Sequence, residues 1–309
     1  MRNFFPLLSV FLLSSCTIGY QLYDGPSTML VDFPLPPHDH EVPIYFPVDT
    51  LPDEEYIRIG VLEAWGYAYT SYNELIHHLQ EEGRHYGVDA IQIIDKQTTE
   101  TEYSSSTVLA GLGLKSLKNM DYLDQYVKAK EVYLLKDDYS PSGPWVAKLW
   151  TGFDGQVQRV DGNPMYSEII EKYSLNYLLY QRDNQWRYAN DPQGNVRMRV
   201  RTAPAGPQLR VWFTYKYPGF PSTARIRDCP TKTETLIQFE YNGHGQVIEK
   251  MIYLPNDKVL KEIPSYDADG KQVGSEFFTV VQGQPDQPYL RVIHYFYSPE
   301  DVQDRIVLK

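Results

Sequence analysis

Three arginines alternate with apolar residues in the segment Val196-Arg197-Met198-Arg199-Val200-Arg201. Strict alternation indicates a β-strand, because successive side chains of a strand point to opposite faces. With the three apolar residues in the core, Arg197, Arg199 and Arg201 would stand together on the other face. Guanidinium groups bind carboxylates and phosphates through two parallel hydrogen bonds. A strand of this kind is more often a solvated or internally paired face. The functional alternative is a contact surface for an anionic partner, either the acidic first half of the same chain or an acidic protein or lipid phosphate.

The chain has two cysteines, Cys16 and Cys229. Paired with a histidine, the Cys229 thiol would be a nucleophile, but a lone thiol before a proline in a β region is more often a small buried hydrophobic side chain. We therefore expect Cys229 to be buried and inert. If Cys16 carries lipid, Cys229 has no partner within the chain, and a disulfide framework is excluded.

The sequence lacks the short motifs of several enzyme classes, namely G-x-S-x-G, H-E-x-x-H, the Walker loop and the dinucleotide glycine fingerprint. The segment His38-Asp39-His40-Glu41 carries metal-ligand side chains. We interpret it as a solvated linker, because it lies among prolines and a metal site needs ligands held on a rigid frame. We predict no catalytic residue, no metal site and no cofactor.

The N-terminal residues have the form of a secretory signal. Arg2 precedes an apolar run from Phe4 to Leu13 that is too short to span a bilayer as a helix. The segment Leu13-Ser14-Ser15-Cys16 then resembles the lipobox of bacterial lipoproteins. The resemblance implies that a signal peptidase recognises Leu13, Ser14 and Ser15, cleaves before Cys16 and leaves that cysteine as a lipidated N-terminus.

Lipidation of Cys16 implies a membrane anchor of palmitate-type acyl chains, and several such chains hold a protein firmly. Thr17 follows the cysteine, where an aspartate would resemble the signal for retention in the inner membrane. The lipoprotein resemblance therefore implies the outer membrane, and we expect the protein to face the periplasm.

Charge is unevenly distributed along the chain. Residues 17–139 hold 8 Lys and Arg against 21 Asp and Glu, whereas residues 140–309 hold 20 against 19. An asymmetry of this kind indicates separate domains. Because an acidic half repels phosphates, we expect no nucleic-acid partner.

The stretch from Tyr56 to Asp95 predicts a strand, a helix and a second strand. Ser71-Tyr72-Asn73-Glu74 is a capping box that begins the helix, and Gly83 on its apolar face would allow a close approach to a sheet. The two strands are then expected to be parallel with a right-handed crossover. We interpret residues 98–119 as a covering loop or short helix, and residues 126–136 as a strand that returns to this sheet.

The segment from Gly60-Val61 to His85-Tyr86-Gly87-Val88-Asp89-Ala90-Ile91 resembles the small domain of several envelope lipoproteins and of the YbjQ-like heavy-metal-binding family. The resemblance covers residues 56–136. The Rcs envelope-stress sensor lipoprotein has this kind of unit but relies on disulfides, so the resemblance does not extend to its sensing role.

Turn signals recur between apolar runs in the second half. They include Phe153-Asp154-Gly155, Asn190-Asp191-Pro192-Gln193-Gly194, Asn242-Gly243-His244-Gly245 and Asp267-Ala268-Asp269-Gly270. Such signals predict β-hairpins. The segments that begin at Tyr241 and Tyr266 loosely resemble the tyrosine–aspartate repeats of secreted β proteins.

The sequence therefore predicts an α+β chain: a small β-α-β sandwich module followed by a mainly antiparallel β domain built of hairpins. The predicted divisions are a signal peptide over residues 1–15, a proline-rich tether over 16–52, an acidic β-α-β domain over 53–138 and an antiparallel domain over 139–309.

The expected function is that of an anchored envelope lipoprotein that binds or scaffolds without catalysis. Its expected partners are the membrane, through Cys16, and an envelope protein or anionic envelope component. Two alternatives stay open: a hydrolase that acts on envelope glycan or peptide, and a metal-handling module.

Overall fold

The computed structural model describes residues 23–24, 27–52, 56–67, 70–100, 105–180 and 185–303. The predicted signal peptide, the lipobox and Cys16 lie outside these residues. The chain forms two compact units: unit 1 is Met1–Met120 with Pro299–Lys309, and unit 2 is Asp121–Ser298.

Unit 1 contains a small mixed sheet and one long helix. The sheet has six strands in the order β1-β4-β6-β5-β3, with β2 also paired to β4. Strand β6 is antiparallel to both β4 and β5, whereas β3 is parallel to β5. The elements are β1 (Tyr23–Asp24), β2 (Thr28–Met29), β3 (Ile44–Tyr45), β4 (Tyr56–Tyr67), α1 (Tyr72–His85), β5 (Ala90–Glu100) and β6 (Ser105–Ser116), with a short helix α3 (Glu300–Gln303) from the end of the chain.

Helix α1 begins where the sequence predicts it. The Ser71 hydroxyl accepts a hydrogen bond from the Glu74 amide, and the Glu74 carboxylate accepts one from the Ser71 amide, which confirms the capping box. Gly83 allows the close packing expected of it, because a Cβ there would stand 3.1 Å from Ile91 Cδ1 and 3.3 Å from Val42 Cγ1.

The strand order of unit 1 differs from the one predicted from the sequence. The strands β4 and β5 run in the same direction, but they are not neighbours, because β6 lies between them. The residues predicted as a covering loop or short helix therefore form a central strand. Gly111 and Gly113 obscure its strand character, since glycine is depleted in strands. A Cβ at Gly111 would overlap with Ile91 Cγ2, which glycine avoids, and a Cβ at Gly113 would stand 3.1 Å from Val88 Cγ2, which is a tight contact.

The described part of the predicted tether is packed onto unit 1. Phe33 is 5% exposed and Val42 is fully buried. The Leu30 amide donates to Ile59 O at 2.8 Å. His38 Nε2 donates to Val88 O at 2.8 Å, so the predicted solvated linker is also attached to the unit. The prolines exclude a helix here, but they do not prevent short extended segments from pairing at a sheet edge.

The described residues of unit 2 contain one antiparallel sheet of twelve strands, in the order β10-β11-β12-β13-β14-β15-β16-β17-β18-β7-β8-β9. The antiparallel β class predicted for the second half is therefore present. The strands are β7 (Val127–Leu134), β8 (Ala147–Thr151), β9 (Val157–Gly162), β10 (Trp186–Asn190), β11 (Val196–Ala203), β12 (Gly206–Tyr217), β13 (Phe220–Asp228), β14 (Glu234–Tyr241), β15 (Val247–Tyr253), β16 (Val259–Tyr266), β17 (Gln272–Val280) and β18 (Gln287–Phe296).

Strand β7 belongs to the large sheet, where it pairs with β18 and β8. The prediction that it returns to the small sheet is therefore wrong. Ala129 and Val132 are buried on this strand, and Val132 belongs to the core of unit 2. The units divide between Met120 and Asp121, whereas the boundary predicted after residue 138 falls between two paired strands.

The predicted turn segments connect successive strands. Gly155, Gly194, Gly245 and Gly270 all have a positive φ, between 73° and 86°, a conformation that glycine adopts without steric cost. In three of these turns an Asx side chain closes the loop by accepting from the amide four residues later: Asp191 from Asn195, Asn242 from Gln246 and Asp267 from Lys271.

A tyrosine repeats along the same strands. Tyr215, Tyr241 and Tyr266 each donate a hydrogen bond of 2.9 Å to a carbonyl of the preceding strand. The acceptors lie 19, 20 and 19 residues upstream. The two segments noted in the sequence as similar are thus copies of one hairpin design.

One face of the large sheet is covered by helix α2 (Pro164–Lys172) and a π-helical turn (Asn176–Tyr180). Ile170, Tyr173 and Leu178 from this segment pack against apolar side chains from strands across the sheet. We call this the helix-covered face. It buries the core of unit 2 and positions the site described next.

Candidate functional site

A group of polar side chains interrupts the helix-covered face. Lys250 and Glu262 are directly opposite each other on β15 and β16, and His294 and Lys130 are directly opposite each other on β18 and β7. Lys250, Glu262 and Ser275 are only 6%, 7% and 4% exposed. Buried polar groups of this kind cost free energy unless they are paired, so their partners decide what the site can do.

Each lysine of the group is paired with a carboxylate. Lys250 forms a salt bridge with Glu262 and donates to Tyr173 O at 3.2 Å. Lys130 Nζ lies 2.6 Å from Glu171 Oε1 of helix α2. Each ion pair joins one positive and one negative charge, so neither pair adds net charge to the site.

His294 is neutral at physiological pH. Burial, with a smaller contribution from the nearby Lys130 charge, lowers the pKa of His294 to about 4. Its Nδ1 lies 3.0 Å from Gln272 O. Because a carbonyl oxygen only accepts, Nδ1 must carry the ring hydrogen, and Nε2 is left with a lone pair.

These side chains line a cavity of about 180 Å³, which we call the chamber. Ser275 lines it with a hydroxyl that has no hydrogen-bond partner among the described residues. The chamber is therefore lined by a hydroxyl (Ser275), an imidazole acceptor (His294), ammonium groups (Lys130 and Lys250) and a carboxylate (Glu262). A space of this size holds several waters or one small polar molecule.

The chamber adjoins a more open cavity of about 350 Å³, which we call the vestibule. Lys130, Asn176, Gln272 and His294 line both, so His294 lies where the two meet. The vestibule is lined by aromatic side chains: Tyr126 and Phe153 pack edge to face at 5.6 Å, and Lys271 lies over the Phe296 ring at 4.3 Å. The chamber and the vestibule therefore meet at a shared set of polar side chains.

The arginine strand is present as β11, but its predicted orientation is wrong. Arg199 and Arg201 are paired with Val211 and Leu209, which belong to the core, and directly paired residues share a face. Arg199 is 3% exposed; it donates to Leu178 O at 2.8 Å and lies 4.3 Å over the Trp186 ring. The strand therefore uses one of its guanidinium groups to hold the π-helical turn.

The other two arginines differ from Arg199. Arg201 is partly buried; its Nη1 donates to the Tyr177 hydroxyl at 2.6 Å and its Nε donates to Gln185 Oε1 at 3.1 Å. Arg197 is exposed. The structure thus does not place the three together on one open face.

Cys229 is partly exposed rather than buried, in the turn after β13. Its Sγ lies 3.9 Å from Arg227 O. A turn residue has little sheet above it, which explains why the thiol is not covered. The remaining predicted site residues, Leu13 to Cys16, lie outside the described residues.

The chamber residues carried a signal that the sequence-based analysis missed. Lys250 lies two residues before the buried Ile252, and Glu262 lies two residues after the buried Leu260. Since side chains alternate along a strand, both charges occupy core positions, where a charge is unusual unless it is functional or paired. The alternation of side chains along each strand therefore indicates, without the structure, that Lys250 and Glu262 are unusual.

Within the described residues, no group of three or more His, Cys, Asp or Glu side chains is arranged to hold a metal ion. No helix in this part of the chain is both long and apolar enough to cross a bilayer.

No family model matches the chain, and no curated protein matches it either. Among solved structures, a porin-like protein from Bacteroides uniformis matches with a TM-score of 0.27 and 8% sequence identity. The match covers 78% of this chain and 86% of that one.

Proposed function

We propose that the chain is a lipid-anchored lipoprotein of the bacterial envelope, held at the outer membrane and facing the periplasm, which binds a small polar molecule without catalysis. The lipobox-like segment before Cys16 supports the anchor. The chamber supports the binding function, and it is the observation that carries the proposal.

The chamber favours a neutral ligand rich in hydrogen-bonding groups. Its two lysines are already matched by carboxylates, so a charged ligand would have to displace an ion pair. Among the described residues, the Ser275 hydroxyl and the lone pair on His294 Nε2 have no hydrogen-bond partner. A hydroxyl or amide group of a ligand could form hydrogen bonds with both Ser275 and His294. Such a ligand would remove the free-energy cost of leaving these two polar groups unpaired.

A hydrolase is the rival proposal, because Ser275 and His294 lie near each other on the neighbouring strands β17 and β18. Ser275 is opposite Val292, so His294 is its diagonal neighbour. A general base acts best with a pKa near the working pH. With a pKa of about 4, His294 is a poor base for activating a serine, which favours binding over catalysis.

Labelling of cells with a palmitate analogue tests the anchor. Cys16→Ala should abolish labelling and leave an uncleaved precursor in the membrane fraction. Cys229→Ala is the matched control, since it removes the other cysteine and should label like the parent. Persistent labelling of Cys16→Ala would remove the anchor from the proposal.

Native mass spectrometry of the protein isolated from its own envelope tests the binding function. We expect a bound species of low mass that is lost from Ser275→Val. Ser265→Val is the control, because Ser265 lies on the neighbouring strand and is exposed. If the parent carries no bound species, or if both variants retain it, the chamber is not the binding site.

A further inference from the structure

A second cleft lies beside helix α2, where β11 and β13 end and β12 begins. It has a volume of about 600 Å³, within the range typical of small-molecule sites. Its lining includes Arg201, Lys172, Glu168, Asp228 and Leu209. We call it the Arg201 cleft, and its charges are arranged in two groups.

Arg201 forms the positive end of the cleft. Its hydrogen-bond partners among the described residues are neutral, the Tyr177 hydroxyl and the Gln185 side-chain oxygen. These contacts fix the guanidinium group through Nη1 and Nε and leave Nη2 free. The charge of Arg201 therefore has no carboxylate opposite it in the described part of the chain.

The negative end is formed by two carboxylates that share one lysine. Lys172 Nζ lies 3.3 Å from Glu168 Oε1 and 3.6 Å from Asp228 Oδ2. The other oxygen of Asp228 accepts from the amide and the hydroxyl of Thr231, which hold the pKa of this carboxyl below its ordinary value. Glu171, also in the lining, is already matched by Lys130. This end therefore has one negative charge in excess.

The β-register places an apolar floor between the two ends. Leu209 is directly opposite Arg201 on one side and Asp228 on the other. Two strand spacings separate the backbones of Arg201 and Asp228, which is about 10 Å. Leu209 is 7% exposed and lines the cleft between them.

From this charge separation we propose that the Arg201 cleft binds a zwitterion: a free amino acid or short peptide whose carboxylate meets Arg201 and whose ammonium meets Glu168 and Asp228. A net-neutral ligand with opposite charges at its ends matches a net-neutral cleft with opposite charges at its ends, and its aliphatic part lies over Leu209. The proposal does not depend on the chamber.

Calorimetry on the detergent-solubilised full chain tests the proposal with glycine, diglycine and triglycine as probes. At least one should bind, and the length that binds best reports the distance between the ends. Blocking either end of that probe, as the N-acetyl or the C-terminal amide form, should weaken binding by at least about tenfold, because each removes one charge-assisted contact.

Variants separate the two ends of the cleft. Arg201→Gln should weaken the best probe by at least about tenfold, whereas Arg197→Gln, the exposed arginine of the same strand, should leave it unchanged. Glu168→Gln should weaken binding too, and this side chain is 68% exposed, so the variant should fold. The proposal is overturned if none of the probes binds to the folded chain, if blocked and free probes bind alike, or if Glu168→Gln and Arg201→Gln both bind like the parent.

Discussion

The buried ion pair between Lys250 and Glu262 makes the sharpest prediction about the chamber. The two residues are only 6% and 7% exposed, and they face each other directly across β15 and β16. Removing one partner leaves the other as an uncompensated buried charge, which costs about 3–5 kcal/mol. We therefore expect Lys250→Met or Glu262→Leu alone to lower the free energy of unfolding of unit 2 by about that amount.

The double variant should behave differently from either single variant. Replacing both charges with apolar side chains of similar volume is often neutral or stabilising. Lys250→Met with Glu262→Leu should therefore recover most of the stability that either change loses alone. The loss of unfolding free energy in the double variant should therefore be smaller, by several kcal/mol, than the sum of the losses in the two single variants.

Urea unfolding followed by tryptophan fluorescence measures these free energies, because four of the five tryptophans lie in unit 2. Arg159→Gln is the control: Arg159 pairs with Asp161 on the surface at 2.9 Å, with its side chain 63% exposed. Such a pair contributes about 0–1 kcal/mol. If the two single variants cost no more than the control, or if the changes are additive, the pair is not the buried one described above.

Four further predictions concern single residues. Lowering the pH from about 6.5 towards 4 should destabilise unit 2 by up to about 1.4 kcal/mol per pH unit, because the unfolded chain binds a proton that the partly buried His294 of the folded chain does not. Stability curves of His294→Gln should lack this component, and a variant whose pH profile equals that of the parent would contradict it. Cys229 should react with a thiol reagent in the native state, contrary to the sequence-based expectation, and labelling only after denaturation would show that the thiol is covered. Gly111→Ala should destabilise unit 1 by about 1–3 kcal/mol through overlap with Ile91, measured by thermal unfolding, where an equal or higher Tm would refute the packing. Ser71→Ala should cost unit 1 about 1 kcal/mol by removing the helix cap, and restored stability in Ser71→Asp would support that cause.

Local features of the fold could be predicted from the sequence because they depend on a few neighbouring residues. The capping box at Ser71 and the turns ending in Gly245 and Gly270 are set by side chains within four positions of one another. Their hydrogen bonds form in the structure as expected. The hairpin character of unit 2 followed from these turns.

Features that depend on long-range pairing could not be predicted in the same way. The alternation in β11 correctly gave two faces, but it did not say which face meets the core. The sequence predicts outward arginines because their apolar neighbours were expected to fill the core, whereas Arg199 is buried since carbonyl oxygens of the π-helical turn accept hydrogen bonds from it. Likewise, the glycines of β6 made its sequence unlike that of a strand. The reason for these glycines is the close approach of Ile91 and Val88, which depends on the pairing of distant segments.

The chamber also could not be predicted from the sequence, because it depends on long-range strand pairing. Its members come from strands far apart in the chain, with Lys130 on β7 and His294 on β18. The sequence places a charge at a core position, but the sheet order is needed to bring such positions together.

A crystal structure of the full chain, purified from its own envelope without added ligands, tests the central claim most directly. We predict density for a small molecule other than water in the chamber, with polar atoms within hydrogen-bond distance of Ser275 Oγ and His294 Nε2. Density that fits only water, with Ser275 and His294 bridged by solvent alone, would contradict the proposed binding function.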